Sequence, residues 1–261
     1  MKNIQREVRA LIKMTIFILS ATSYILTTLP FLPIFYINEN LARKTVNKIL
    51  QFYCKFALWF MGIEVEDNIT HRNQEGQLFV CNHLSYIDVL ILGAKTPTCF
   101  VTSVEIKNTP FLGQLCILGG CLFVERRNKR GLSTEIEEIT KALKSGTNVT
   151  IFPEATSTNG DEVIRFRRPL FQSSIDAGCE VSPITLNYYE VDQEKLSIKN
   201  RDTIFWYDDM TFIDHLWRFF KTKNTQASLT YSTALKDNDL IKLVTDSHHI
   251  VKKNYKSLAL V

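Results

Sequence analysis

The chain has 261 residues, 45% of them hydrophobic, and a formal net charge of +4. That length supports one large core, or a core with a small accessory element. Lys and Arg are spread among Asp and Glu with no long basic run, which argues against a nucleic-acid binder and leaves room for a mild attraction to anionic membrane surfaces.

No residue from Met14 to Ile37 is charged. As one helix rising about 1.5 Å per residue, the stretch would reach about 36 Å, enough for a bilayer core. Pro30 and Pro33 argue against continuity, and the uninterrupted part, Met14 to Leu29, reaches only about 24 Å, short of the roughly 30 Å required. Basic residues flank both sides, Lys2, Arg6, Arg9 and Lys13 before it and Arg43, Lys44 and Lys48 after it. Both flanks favour the cytoplasmic face. The sequence predicts a helical hairpin that dips into one leaflet and returns, with a single tilted span as its competitor and Ile49 to Ile63 as further interfacial contact. Residues 1–66 are the expected membrane-associated helical segment, and 67–261 the expected α/β domain.

Beyond residue 70, short β-prone runs at Gln77 to Cys81, Cys99 to Val104, Cys121 to Val124, Asn148 to Phe152 and Val181 to Tyr188 alternate with helix-like stretches. The predicted fold class is α/β, a mostly parallel sheet flanked by helices with an N-terminal apolar helical membrane-binding hairpin. Ile136, Ile139, Ala142 and Leu143 recur at helical spacing with Gly146 placed to end the helix, and the pattern reads as a crossover. A further β-prone run near Ser228 to Thr230 and a C-terminal helix complete the chain. The six cysteines form no Cys-x-x-Cys pair and several sit in apolar runs, so they read as reduced thiols.

Asn82 and His83 follow the first of these strands, and a helical pattern begins near Ser85. A strand-to-helix turn is where ligands bind in open α/β sheets. Two residues five apart in one helix point about 140° away from each other. With His83 before the helix and Asp88 in its first turn, the two can meet. Asp88 would then hold one ring nitrogen while the other removes a proton from a substrate hydroxyl. Ser85-x-x-Asp88 reads equally as a capping box, in which case Asp88 is architectural.

Three segments follow in order: Gly120-Cys121-Leu122-Phe123-Val124-Glu125-Arg126, Phe152-Pro153-Glu154-Ala155-Thr156-Ser157 and Val181-Ser182-Pro183-Ile184. With Asn82-His83-Leu84-Ser85-Tyr86-Ile87-Asp88 they resemble the glycerophospholipid acyltransferase family, typified by lysophosphatidic acid acyltransferases. The resemblance spans about Phe79 to Ile184. It implies a catalytic pair of His83 and Asp88, and a glutamate, Glu154, associated with binding the acyl acceptor. Arg126 follows an apolar strand and is placed to grip a phosphate in bidentate fashion. Asn82, Ser85, Thr156 and Arg167 complete the candidate substrate-binding residues.

The third segment departs from the family's Phe-Pro-Glu-Gly-Thr-Arg. Ala155 replaces glycine, a harmless change if φ there stays below zero. Ser157 replaces arginine, removing a charge-assisted phosphate contact worth about 1.5–3 kcal/mol. Arg165, Arg167 and Arg168 are candidates to compensate, and a different head group is the alternative.

The implied activity is transfer of a fatty acyl group from acyl-CoA or acyl-carrier protein to a lysophospholipid hydroxyl, with 1-acyl-glycerol-3-phosphate as acceptor and phosphatidic acid as product. Membrane lipids and the acyl carrier are the expected partners, with no nucleic acid. Neither metal nor redox cofactor is implied, since His248 and His249 lack companion ligands at metal-site spacing. The rivals are an acyltransferase for another lysolipid, an inactive membrane lipid-binding protein and a hydrolase, the last lacking a Gly-x-Ser-x-Gly elbow.

Overall fold

The computed structural model describes residues 2–68, 75–125 and 131–260. The N-terminal part is a helical hairpin: α1 (Lys2–Thr28), a 3-10 turn at Leu29–Phe31, α2 (Leu32–Ile37) and α3 (Glu39–Met61). The prolines act more gently than the sequence suggests. Pro30 and Pro33 each sit in the first positions of a new helical turn, where a missing N–H removes no hydrogen bond, so the helical run resumes after each. The reversal falls at Asn38, whose side chain accepts from the Leu41 N–H and starts α3.

The hairpin closes along its length. Ser23 and Tyr53 share a hydrogen bond of 2.7 Å, and the Tyr24 and Tyr53 rings meet edge to face at 5.3 Å. Its lower part is fastened to the rest of the chain. Buried Lys13 donates to the carbonyls of Met61 and Thr222, and Arg9 donates to that of Lys221. Such cations suit the exposed carbonyls at helix C-termini.

The strand β1 (Ile63–Asp67) follows directly, so the boundary expected between residues 66 and 67 falls inside it. The succession is then β2 (Leu78–Cys81), α4 (Ile87–Lys95), β3 (Cys99–Ser103), α5 (Val104–Lys107), α6 (Leu112–Leu118) and β4 (Leu122–Val124). After α7 (Leu132–Lys144) come β5 (Val149–Ile151), α8 (Gln172–Ala177), β6 (Val181–Val191), β7 (Glu194–Lys195), α9 (Phe212–Phe220), β8 (Thr225–Tyr231) and α10 (Leu240–Asn254).

The strands form one sheet in the order β1-β8-β6-β2-β5-β3-β4, with β7 paired to β6. All pairings are parallel except those of β6 with β8 and β7, which agrees with the predicted class. Central β2 shows why: Phe79 and Cys81 enter a core with Leu58 and Met61 of α3 and Ile87 and Ile91 of α4. Leu78 and Val80 enter a second core with Ile139 and Leu143 of α7 and Leu243 of α10. A strand covered on both faces needs a continuous apolar run. All six cysteines are free thiols. His248 packs its ring edge on Phe166, 5.0 Å between centroids.

Candidate active site

The turn after β2 is built from side chains that imitate the backbone. Where the β2–β6 ladder ends, the buried amide of Asn82 continues it, donating to the Leu186 carbonyl and accepting from the Leu186 N–H, both at 2.9 Å. Asn82, a candidate substrate-binding residue, thus clamps this turn onto β6.

His83 and Asp88 meet: Nδ1 lies 2.8 Å from Asp88 Oδ2. The same oxygen accepts from the N–H groups of Leu84 and Ser85 at 2.7 and 2.9 Å, and Oδ1 accepts from the Tyr188 hydroxyl at 2.7 Å. The two readings of Asp88 therefore combine, because it caps the turn entering α4 and orients His83 together. A fully buried carboxylate is costly without partners, and these donors supply them. Since the carboxylate can only accept, Nδ1 carries the proton. Ser85, expected as the cap, is buried, and its hydroxyl has no hydrogen-bond partner among the described residues.

The third segment holds His83 from the other side. Glu154 Oε1 accepts from the His83 N–H at 2.8 Å, and the His83 carbonyl accepts from the Thr158 N–H at 3.0 Å. The imidazole stacks on Phe152, 4.0 Å between centroids and 17° from parallel. Only Nε2 is left without a hydrogen bond among the described residues, and the side chain is 18% exposed.

Glu154 itself is 2% exposed, with Oε2 accepting from the Ile164 N–H at 3.0 Å. Burial, with a smaller contribution from the Asp88 charge, pushes its carboxyl up to about 8 against the pull of its two backbone donors. Both its oxygens thus join loops of the protein.

Thr156 is exposed on the same segment, and its hydroxyl donates to the Ser157 carbonyl at 3.3 Å. Ala155 has φ of 61°, so the condition for a harmless replacement of glycine fails: this is a left-handed position. Exposed Arg167 fastens its backbone N–H to the Pro153 carbonyl at 2.8 Å. With Val101, Val124, Glu125, Phe152 and Ala155, it lines a pocket of about 230 Å³. Phe152 is shared between this pocket and the imidazole stack, so the two adjoin. Arg126 lies outside the described residues.

Tyr188 and Thr158 are not among the candidate residues, and Phe152 enters only as the first residue of the third segment. Tyr188 and Phe152 end predicted strands, which was the one available signal.

The sequence model of the Acyltransferase family matches residues 62–187, which hold His83, Asp88 and Glu154. The 1-acyl-sn-glycerol-3-phosphate acyltransferase of Neisseria gonorrhoeae is 32% identical over 163 residues, 62% of this chain and 61% of that protein. The lyso-ornithine lipid O-acyltransferase of Pseudomonas aeruginosa is 35% identical over 116 residues, 44% of each. The match thus spans about three fifths of the first relative and under half of the second. The crystal structure of the LPA acyltransferase PlsC from Thermotoga maritima superposes with a TM-score of 0.68 at 19% identity, covering 98% of this chain and 96% of that one. That likeness extends the shared fold beyond the matched domain, through the N-terminal helices and the last strand. With the family model matching around the His83 turn and these relatives beside it, residues 62–187 form a domain of the Acyltransferase family.

Proposed function

We propose that the chain transfers a fatty acyl group from acyl-CoA or acyl-carrier protein to the hydroxyl of a lysolipid, with 1-acyl-glycerol-3-phosphate as acceptor and phosphatidic acid as product. The observation that carries this reading is the His83–Asp88 pair: Nδ1 is engaged at 2.8 Å, while Nε2 has no partner among the described residues and the imidazole stacks on Phe152, which lines a pocket. Nε2 takes the proton of the acceptor hydroxyl as its oxygen attacks the thioester carbonyl. Asp88 stabilises the imidazolium that forms. Collapse of the tetrahedral intermediate expels the thiolate, which recovers the proton from His83, so ester and free thiol are the products. The nucleophile belongs to the substrate, and no covalent enzyme intermediate is needed.

Arg126 is assigned to the acceptor phosphate, and Arg167, which lines the pocket, and exposed Thr156 are assigned to the acceptor with it. Asn82, Ser85 and Glu154 support the turn from within, so their part in substrate binding is indirect. Ser157 and the lyso-ornithine lipid relative favour a second acceptor class, a lysolipid without a phosphate monoester.

The hairpin docks the enzyme on its lipid substrates. Exposed Leu11, Leu19 and Leu26 of α1, Phe52 and Trp59 of α3, and Tyr36 and Ile37 at the reversal, the last two 94% and 85% exposed, offer apolar surface. The helical run Asn3–Ile37 is long and apolar enough to cross a membrane. Its fastening through Arg9 and Lys13 favours lying in one leaflet, with the active site on the cytoplasmic face. On this reading residues 1–66 serve docking and 67–261 catalysis, sharing β1.

The test is acyl transfer by the purified chain in lipid vesicles, with acyl-CoA and a panel of lysolipids, against His83→Ala. The substitution is expected to lower turnover by about 10²–10⁴. Transfer that survives it would sink the mechanism, and thioester loss without lipid product would favour a hydrolase.

A further inference from the structure

Asp88 has two oxygens, and the reaction proposed above uses one. Oδ2 faces His83 Nδ1 and the two N–H groups of the turn, and Oδ1 accepts from the Tyr188 hydroxyl at 2.7 Å. Tyr188 is 4% exposed and lies 100 residues further along the chain, on β6. Two residues earlier on that strand, Leu186 holds Asn82. One strand therefore secures both ends of the segment that carries His83.

The pairing of β6 with β8 is regular up to Tyr188 and shifts register between Tyr188 and Glu190. Irregularities of this kind re-aim a side chain, and they recur beside active sites. The Tyr188 ring is steadied by Phe205, edge to face at 5.8 Å. Burial, reinforced by the Asp88 charge, pushes the phenol well above its ordinary range, so it stays protonated and can only donate in this contact.

We propose, resting on the acyl-transfer reading, that Tyr188 is a positioning residue for His83: its hydroxyl fixes the far oxygen of Asp88 and tempers the charge that the near oxygen presents to the imidazole. Without that donor, Asp88 would hold the imidazolium more tightly, and Nε2 would become available as a base only at higher pH. The hydroxyl thus trades some imidazolium stabilisation for a base that releases its proton more readily.

Other ionisable groups around the pair are Cys81 of β2, Tyr86 at the start of α4, Glu154 after β5 and Tyr255 after α10. Burial holds the thiol and the phenols protonated, which leaves Glu154, pushed up to about 8, as the neighbour that titrates nearby.

The test uses Tyr188→Phe in the full chain, which removes the hydroxyl and keeps the ring. The titration of the His83 imidazole is followed by NMR, and the pH profile of kcat/KM is measured in parallel. The expected result is an upward shift of the imidazole titration by roughly half a unit or more, with the acid limb of the profile moving the same way. Phe205→Leu, which loosens the packing and keeps the hydroxyl, should leave the titration in place. The shift should persist in a Glu154→Gln background. An unmoved titration in Tyr188→Phe overturns the proposal, as does an equal shift in Phe205→Leu or loss of the shift when Glu154 is replaced. A shifted titration in a chain that transfers no acyl group would uphold the positioning role and sink the reaction.

Discussion

The two segments that meet at His83 are built on opposite terms. In the turn from Asn82 to Asp88, the two charged or amide groups that shape it are satisfied: the Asn82 amide completes a strand ladder, and the Asp88 carboxylate collects four donors. In the loop from Pro153 to Thr158, a buried carboxyl group is held by two backbone N–H groups, with no salt bridge to it among the described residues, and a non-glycine residue is left-handed. The first segment gains stability from its polar groups, and the second loses some to hold His83 from behind. The difference shows that a pinned histidine can rest on one comfortable support and one strained one.

The comparison breaks most severely at Asp88. Asp88→Asn keeps an acceptor for the backbone N–H groups of Leu84 and Ser85 but removes the charge that, in the proposed mechanism, stabilises the His83 imidazolium. Turnover should fall by about 10²–10⁴, comparable to loss of general-base assistance. Thermal unfolding should also move down, since hydrogen bonds to a charged group are worth about 1.5–3 kcal/mol each. Steady-state kinetics alongside a melting curve checks both. If turnover is unchanged while the melt drops, Asp88 is only a cap.

Glu154 sharpens the comparison through pH. Its folded carboxyl is raised to about 8 from the ordinary value of 4.5. Between those values the folded chain holds a proton that the unfolded chain releases, so this residue's contribution to stability falls as pH rises from about 4.5 to 8. The sign is opposite to that of a salt-bridged carboxylate. Across the window the effect is on the order of a few kcal/mol. Glu154→Gln should flatten that part of a plot of melting temperature against pH. An unchanged slope would show that the carboxylate is ionised in the folded state at little cost.

Much of this arrangement was legible in the sequence, and the exceptions share a cause. Strand β2 announced itself because it is covered on both faces, which forces an unbroken apolar run, and β3, β5 and β6 were legible as short β-prone runs between helical patterns. The meeting of His83 and Asp88 followed from local geometry alone, five residues apart across a strand-to-helix turn. By contrast β1 alternates Ile63, Val65 with Glu64, Glu66 at the sheet edge, and next to the apolar end of α3 it read as part of the membrane segment. The partners that finish the site are distant in sequence: Glu154 reaches the His83 N–H across 71 residues and Tyr188 reaches Asp88 across 100. No periodicity reports such contacts. The prolines of the hairpin were read as breaks because a helix interior rejects them, whereas here they open new turns.

Ala155 offers the mildest way to probe the contrast, and the cleanest, since the change removes only a methyl group. At φ of 61° an alanine carries a left-handed conformation that costs roughly 1–2 kcal/mol, whereas glycine adopts it freely. Glycine adds freedom to the unfolded chain in return, about 0.5–1 kcal/mol, which offsets part of the gain. Ala155→Gly should therefore stabilise the fold by up to about 1 kcal/mol, a rise of a few degrees at most in the melting temperature for a chain of this size. Because Ala155 also lines the pocket beside Phe152, relief of strain would reach the loop that backs the imidazole. A gain in stability with turnover unchanged would mean that the strain is incidental to positioning. A gain accompanied by lower turnover would mean that the rigid left-handed alanine helps keep Phe152 against His83, so that the strained support contributes to catalysis as well as the comfortable one.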